Sequence, residues 1–166
     1  ERVQERTDAL LNCGGTHRPE WFHRKLGDIL YEGCGVARDE AGLLDALTKV
    51  RELREEFWRD VKVVGTGNRL NQELEKAGRV ADFIELGEVM ILDALDRRES
   101  AGAHFRNEYA TEAGEAKRND GDWCAVSAWE TRPDGTKVRH SEPLSFSLID
   151  LQAVSYTHLT LPTICS

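Results

Sequence analysis

The densest group of side chains capable of chemistry lies at residues 97–106, where arginine, glutamate, serine and histidine follow closely. The candidate residues of this group are Arg97, Arg98, Glu99, His104 and Arg106. A histidine beside carboxylate and guanidinium groups has the residue types for acid–base catalysis. No partner nucleophile or second base is evident, however, and basic residues near a helix end complement its negative dipole end. We therefore interpret the group as a structural network of charges and hydrogen bonds.

Other motifs that bind cofactors or metals in proteins are incomplete here. Gly65-Thr66-Gly67 follows a strand-like run, but a dinucleotide fingerprint needs a third glycine where Leu70 stands. His17 and His23 lack a third ligand at a suitable spacing, which favours surface or capping roles. The four cysteines form no Cys-x-x-Cys pair and are interpreted as free thiols in a reducing cytoplasm. The sequence thus predicts no catalytic, cofactor-binding or metal-binding residue.

The composition limits the classes of protein that the chain can belong to. Its 166 residues suffice for one domain with a hydrophobic core. The net charge of −8 argues against a nucleic-acid-binding protein, which needs basic residues to neutralise phosphates. No window approaches the ~18 apolar residues that a membrane-spanning helix requires. These properties argue against a nucleic-acid-binding or membrane-spanning protein.

The periodicity of apolar residues predicts three main helices, at about 19–33, 39–60 and 69–98. Asp39 or Arg38 opens the second helix, and Asn68 is the predicted N-cap of the third. The second helix has a predicted buried stripe of Leu43, Leu44, Leu47, Val50, Leu53, Phe57 and Trp58. The third has two adjacent stripes, interrupted once at Glu88, and the first stripe begins at Leu70. A surface that wide predicts the central helix of a bundle.

The pattern changes after Ser100 and predicts a different kind of structure. Residues 101–121 lack clear periodicity and are expected to be ordered but irregular. Two strand-like runs then flank Arg132-Pro133-Asp134-Gly135, a sequence typical of a turn, which predicts a β-hairpin within 122–147. The predicted fold class is mainly α, a helical bundle of three main helices followed by a small C-terminal β-hairpin segment.

Both ends of the chain are unusual. The charged helical start lacks methionine and a signal sequence, so we expect the chain to begin inside a helix, as a fragment would. Leu151–Ser166 contains no charged residue, which has a chance probability of roughly 0.3% at this composition. Val154–Thr163 resembles a translated transposon-end adapter from sequencing libraries. We interpret residues 153–166 as such an artefact, the alternative being a genuine apolar β tail.

The group at 97–106 also carries a family resemblance. RRESAGAHFRNEY resembles the Glu-Ser-Arg-Gly-Ala-His-x-Arg signature of succinate dehydrogenase and fumarate reductase flavoproteins, and the Glu-Ser-Cys-Gly-Gly-His variant of the menaquinone-linked bacterial type. Ala101 departs from the Arg or Cys that the family often has. Further similar blocks, in the same order, are Trp21–Gly27, Cys34–Arg38, Leu53–Trp58, Leu70–Phe83, Thr111–Ala116 and His140–Leu144. The resemblance extends from Glu1 to about Gln152.

The resemblance implies that the full-length protein interconverts succinate and fumarate and passes electrons from FAD to iron–sulfur clusters and quinone. The family's FAD-contacting and catalytic motifs lie upstream of the residue that matches Glu1, so this fragment alone is expected to be inactive. The implied domains are residues 1–12 as the end of the FAD-domain helix, 13–104 as the helical bundle, and 105–152 as the irregular segment plus hairpin. The implied partners are the iron–sulfur subunit and, through it, the membrane-anchor subunit, on the cytoplasmic side of the bacterial inner membrane.

Two alternatives stay open at this point. The chain could be a stand-alone helical interaction module without redox activity, which the missing methionine and the adapter-like tail disfavour. It could also be the C-terminal part of an L-aspartate oxidase-like flavoenzyme, which shares the signature but is disfavoured by the Thr111–Trp129 block.

Overall fold

The computed structural model describes residues 2–148. The chain divides into two compact units, Glu1–Arg97 and Arg98–Ser166. The segment interpreted as an adapter artefact, residues 153–166, lies outside the described residues, as does the end of the predicted 105–152 domain.

The first unit is built from helices. They are α1 (Arg2–Asn12), α2 (Pro19–Gly33), α3 (Glu40–Asp60) and α4 (Gln72–Asp96), with a two-residue strand, β1 (Ala37–Arg38), between α2 and α3. The helix α4 packs against each of the other three, in agreement with the central position predicted from its wide apolar surface. The predicted bundle of three main helices is therefore confirmed, and α1 adds a shorter fourth helix.

The core of this unit lies between α2, α3 and α4. Phe22 and Phe57 are fully buried and meet edge to face, with ring centroids 5.2 Å apart. Burying a side chain of this size contributes about 1.5–3 kcal/mol. Leu44 and Trp58, predicted in the buried stripe, remain 49% and 39% exposed. Each directly follows a buried residue in sequence, and a step of one residue turns a side chain about 100° around the helix.

The start of α4 differs from the prediction. Asn71 rather than Asn68 is the N-cap, because its side chain accepts hydrogen bonds from the backbone N–H groups of Glu73 and Leu74 at 3.1 and 3.2 Å. Its Nδ2 also donates to the carbonyl oxygens of Val64 and Thr66, which closes the preceding loop. The helix therefore begins at Gln72. The predicted cap of α3 is confirmed, since Asp39 accepts a hydrogen bond from the Gly42 N–H at 2.7 Å.

The loop between α1 and α2 lies against the end of α3. The N–H groups of Gly15 and His17 donate to the carbonyl oxygens of Val61 and Asp60, each at 3.2 Å. A Cβ atom at Gly15 would lie 2.0 Å from the carbonyl carbon of Asp60. Only glycine permits this approach of two backbones.

The second unit is small and largely irregular before a hairpin. It contains β2 (Phe105–Arg106), a 3₁₀ turn at Asn107–Tyr109, α5 (Asp120–Trp123), β3 (Ala125–Thr131) and β4 (Lys137–Pro143). Strands β3 and β4 are antiparallel, with Ala125 opposite Pro143 and Thr131 opposite Lys137. Gly135 in the connecting turn has a φ of +84°, which favours glycine. The predicted hairpin is confirmed.

Candidate functional site

Among the described residues of the second unit, 98–148, three polar residues close together in sequence are buried. Glu99, Ser100 and Arg106 are 2%, 0% and 2% exposed. The Ser100 hydroxyl accepts a hydrogen bond from the Arg106 N–H at 2.8 Å and donates to the Arg106 carbonyl oxygen at 3.1 Å. The Ser100 N–H donates to the Lys117 carbonyl oxygen at 2.9 Å. Ser100 thus joins its own segment to β2 and to the loop at Lys117.

The charged members of this group bind loop atoms of the same unit. Glu99 accepts a hydrogen bond from the Asn119 N–H at 2.8 Å. Arg106 Nε lies 3.1 Å from a carboxylate oxygen of Glu108, and its guanidinium lies over the Tyr109 ring at 5.5 Å. A buried charge with such partners avoids most of the cost of desolvation. These contacts join Glu99 and Arg106 to the neighbouring loop residues Glu108, Tyr109 and Asn119.

The other predicted cluster residues lie at its edges. His104 is half-buried and closes a tight turn, since its backbone and that of Ala101 exchange two hydrogen bonds at 2.8 and 3.1 Å. Gly102 in this turn has a φ of +59°. Arg97 is the C-cap residue of α4, and Arg98 is exposed. The structure therefore brings together Glu99 and Arg106, and it adds Ser100, which the sequence reasoning did not select.

A second polar cluster lies between α3 and α4. Glu88 is 3% exposed on α4. Its carboxylate binds Arg51 Nε at 2.8 Å and also Arg54, which bonds Glu85 at 3.1 Å. Burial would raise the pKa of Glu88, but the hydrogen bonds from the two arginines outweigh it and lower the pKa below its usual value. This cluster explains the single interruption in the apolar stripe of α4.

A third cluster ties the α1–α2 loop to the end of α3. His17 Nδ1 lies 2.5 Å from Asp60, and the hydroxyl and N–H of Thr16 donate to the same carboxylate at 2.8–2.9 Å. The hydrogen bond from His17, followed by those from Thr16, lowers the pKa of Asp60 to about 2. The His17 ring also stacks on Trp21, with centroids 4.1 Å apart. The ring is therefore held on one side by Asp60 and on one face by an indole.

A lysine connects the first turns of α2 and α4. Lys76 Nζ lies 2.5 Å from Glu20 and 3.4 Å from Glu73. The hydrogen bond with Lys76 lowers the pKa of Glu20, and the one with Glu20 raises the pKa of Lys76. The positive end of each helix dipole also stabilises the negative charge of the glutamate in its first turn. This half-exposed contact connects two helices that begin at the same end of the bundle.

The glycine-containing loop and the two histidines noted in the sequence contact other side chains of the first unit. At the Gly65–Gly67 loop, Asn71 Nδ2 lies 2.7 Å from the position of a Cβ at Gly65, and the loop lines an open depression of about 470 Å³ together with Asn71. His17 and His23 have separate aromatic neighbours, Trp21 and Phe83. Across residues 2–148, no three His, Cys, Asp or Glu side chains are grouped as metal ligands would be. Within the same range, no helix has the length and apolarity to cross a bilayer.

The relatives found by sequence comparison include flavoprotein subunits of succinate dehydrogenase and fumarate reductase. The succinate dehydrogenase flavoprotein subunit of Bacillus subtilis is 24% identical over 160 residues, which cover 96% of this chain and 25% of that protein. The fumarate reductase flavoprotein subunit of Escherichia coli is 31% identical over 104 residues, covering 63% of this chain and 17% of that protein. The chain thus spans a quarter or less of the length of these relatives.

Solved structures agree with the sequence comparison. The quinol fumarate reductase of Escherichia coli superimposes with a TM-score of 0.76 and 25% identity, over 89% of this chain and 24% of that chain. The family model described as the fumarate reductase flavoprotein C-terminus matches residues 23–160. The chain therefore belongs to the family of fumarate reductase flavoprotein C-terminal regions, which includes those of succinate dehydrogenase.

Proposed function

We propose that this chain is the C-terminal part of the flavoprotein subunit of a succinate dehydrogenase or fumarate reductase, and that this part is structural and contacts other subunits. The full-length protein would interconvert succinate and fumarate. The observation that carries the proposal is the family match over residues 23–160, since relatives of both enzymes align with the same region. The polar clusters support a structural role, because their charges bind neighbouring helices and loops.

FAD in the full-length protein follows from this proposal, but the residues of this segment do not fit it. The loop Gly65–Gly67 lacks the third glycine of a dinucleotide fingerprint, since Leu70 stands in its place, and Asn71 Nδ2 lies 2.7 Å from the position of a Cβ at Gly65. A flavin would therefore be held by the part of the protein outside residues 2–148. No chemical step is assigned to the segment.

The proposed partners are an iron–sulfur subunit and, through it, a membrane-anchor subunit. Structures similar to this chain include quinol fumarate reductases and a mycobacterial succinate dehydrogenase complex, which supports a multi-subunit assembly. The proposed location is peripheral, on the cytoplasmic side of a bacterial inner membrane. Neither the stand-alone interaction module nor the L-aspartate oxidase-like enzyme is favoured by the relatives found.

The test uses the full-length gene that contains this segment. We expect the purified product to be yellow, to show flavin absorbance and to reduce an artificial acceptor with succinate. Absence of succinate and fumarate activity in a flavin-loaded product would contradict the proposal, as would oxidation of L-aspartate instead. Residues 2–148 expressed alone are expected to bind no flavin and reduce no acceptor, and flavin absorbance in that preparation would refute the assignment of the cofactor to other parts.

A further inference from the structure

Aromatic side chains form an unbroken series of ring contacts within the first unit. The rings of Trp21 and Phe22 meet edge to face, with centroids 4.8 Å apart. Phe22 meets Phe57 in the same geometry at 5.2 Å, and Phe57 meets Trp58 at 5.3 Å. All three separations lie in the range of about 4.5–7 Å that is typical of aromatic pairs in contact. Two phenylalanine rings therefore connect a tryptophan on α2 with a tryptophan on α3.

The series is buried in its middle and reaches the surface at both ends. Phe22 and Phe57 are fully buried. Trp21 and Trp58 are 36% and 39% exposed, so an oxidant in solution can reach either indole. An indole loses an electron far more readily than a benzene ring does. The two phenylalanines can therefore serve only as a bridge through which an electron tunnels, and the two tryptophans are the sites that can be oxidised.

The charges around the two indoles differ. Lys25 Nζ lies over the Trp21 ring, 4.6 Å from its centroid, and it also binds Glu56 at 2.7 Å, which offsets part of its charge. The ammonium opposes the positive charge that removal of an electron would leave on this indole. In the part of the chain that the structure describes, no lysine or arginine lies over the Trp58 ring in this way. An electron is therefore removed more easily from Trp58 than from Trp21.

We propose that this series transfers an electron from Trp58 to oxidised Trp21, so that Trp58 is the residue at which one-electron oxidation of this region ends. A one-electron oxidant from solution, such as the carbonate radical anion, takes an electron from Trp21 and is reduced to carbonate. An electron from Trp58 then tunnels to the Trp21 radical cation and restores the neutral indole. The Trp58 radical cation releases its indole N–H proton to water and becomes a neutral radical. The inference goes beyond the proposed function, because it requires only the fold of the first unit and an oxidant from solution.

The test oxidises the full-length protein with photogenerated ruthenium(III) tris-bipyridine in the presence of a nitroso spin trap. The trap adds to carbon-centred radicals, and mass spectrometry locates the adducts. We expect several-fold more adduct at Trp58 than at Trp21. In Trp58→Phe, adduct at Trp21 should rise several-fold, because the electron donor is missing. Trp129→Phe, which removes a tryptophan from β3 in the second unit, is the control and should leave Trp21 unchanged.

This comparison separates electron transfer from a simple difference in access to the oxidant. Unequal access would give unequal adducts in the parent protein, but it would leave Trp21 unchanged when Trp58 is replaced. No increase at Trp21 in Trp58→Phe would therefore overturn the inference, as would equal adducts at the two residues in the parent protein.

A second pair of variants tests the bridge. Phe57→Leu keeps an apolar side chain but removes one of the two bridging rings, and it is expected to raise the ratio of Trp21 adduct to Trp58 adduct several-fold. Phe83→Leu, on α4 and outside the series, should leave the ratio unchanged. An unchanged ratio in a folded Phe57→Leu protein would contradict the proposed path.

The half-exposed Lys25 gives a test that leaves the core intact. Lys25→Met removes the ammonium above Trp21 and should raise the share of adduct at this indole, because its radical cation is then less disfavoured. Lys49→Met, on α3, is the control, since Lys49 binds Asp45 instead. An equal share of Trp21 adduct in the two lysine variants would contradict the proposed direction of transfer.

Discussion

Single residues in this protein connect segments that are far apart in sequence. Asp60 binds His17 and Thr16 across more than forty residues, and Glu88 binds Arg51 and Arg54 across more than thirty. Each carboxylate has two or more donors and is held in its ionised form. These two carboxylates therefore connect different elements of the first unit.

Acid titration should reveal the contact at Asp60. The pKa of about 2 lies below the usual value of 3.8, so the ionised carboxylate stabilises the folded state fully above pH 3.8. This stabilisation is lost as the pH falls through 2. We expect Asp60→Asn to lower the free energy of unfolding at pH 6, and the difference from the parent protein to shrink as the pH approaches 2. Urea unfolding at several pH values measures this.

Asp28→Asn is the control for this titration, because it removes one negative charge from an exposed position on α2. Its effect is expected to be small at every pH. A stability difference for Asp60→Asn that stays constant from pH 6 to pH 2 would contradict the titration of this carboxylate.

The buried carboxylate of Glu88 should matter more than its exposed neighbour. Glu88→Gln removes the charge that binds two arginines and is expected to cost about 1–3 kcal/mol in the free energy of unfolding. Glu85→Gln, at a side chain 46% exposed, should change it by less than about 0.5 kcal/mol. A double-mutant cycle that combines Glu88→Gln with Arg54→Met should give a coupling energy above about 0.5 kcal/mol. If the effects of these two substitutions on the free energy of unfolding are additive, the predicted pairing of Glu88 with Arg54 is wrong.

At the scale of elements, the sequence predicted correctly those helix bounds that depend only on nearby residues. The bounds of α2 and α3 agree with the predicted 19–33 and 39–60 within a residue, because the apolar periodicity and the start signals at Pro19 and Asp39 are local. The predicted start of α4 was wrong because both Asn68 and Asn71 can cap a helix. The side chain of Asn71 also donates hydrogen bonds to carbonyl groups of the preceding loop, and a local sequence pattern does not contain this contact. The burial of Glu88 depends on arginines in another helix, which no local window contains.

The cap of α4 can be tested by paired substitutions. Asn71→Ala removes two hydrogen bonds to helix N–H groups and two to the loop, and should lower the free energy of unfolding by about 1–2 kcal/mol. Asn68→Ala, three residues earlier in an exposed position, should change it little. Thermal or urea unfolding of both variants decides between them. A larger loss for Asn68→Ala would restore the predicted helix start.

At the scale of the whole molecule, the stability of the first unit depends on the hydrophobic core between α2, α3 and α4. Phe57 is fully buried where α3 meets α2, and Phe57→Ala is expected to cost about 3–5 kcal/mol. Since domains of this size have a total stability of about 5–15 kcal/mol, the variant should show a much lower urea midpoint. Leu70→Ala, at a side chain 96% exposed, should leave the midpoint nearly unchanged. Similar midpoints for the two variants would contradict the core described above.

The residues of the 97–106 cluster show the limit of sequence reasoning at this scale. Their types were visible in the sequence, but their burial was not, because it depends on backbone groups at Lys117 and Asn119. Serine at position 100 gave no separate signal, since a hydroxyl is as common on surfaces as in buried turns. The structural role of this cluster stays a proposal.

The order of the helices has a consequence for how the protein folds. Helices α2, α3 and α4 follow one another through short connections and pack against each other directly. Contacts between neighbours in sequence close small loops and lose little chain entropy, and helical bundles of this kind fold in microseconds to milliseconds. The α2–α3 and α3–α4 pairs can therefore form quickly, while the contact of Arg6 on α1 with Gly78 and Asp82 on α4, which closes a loop of more than seventy residues, is expected to form last.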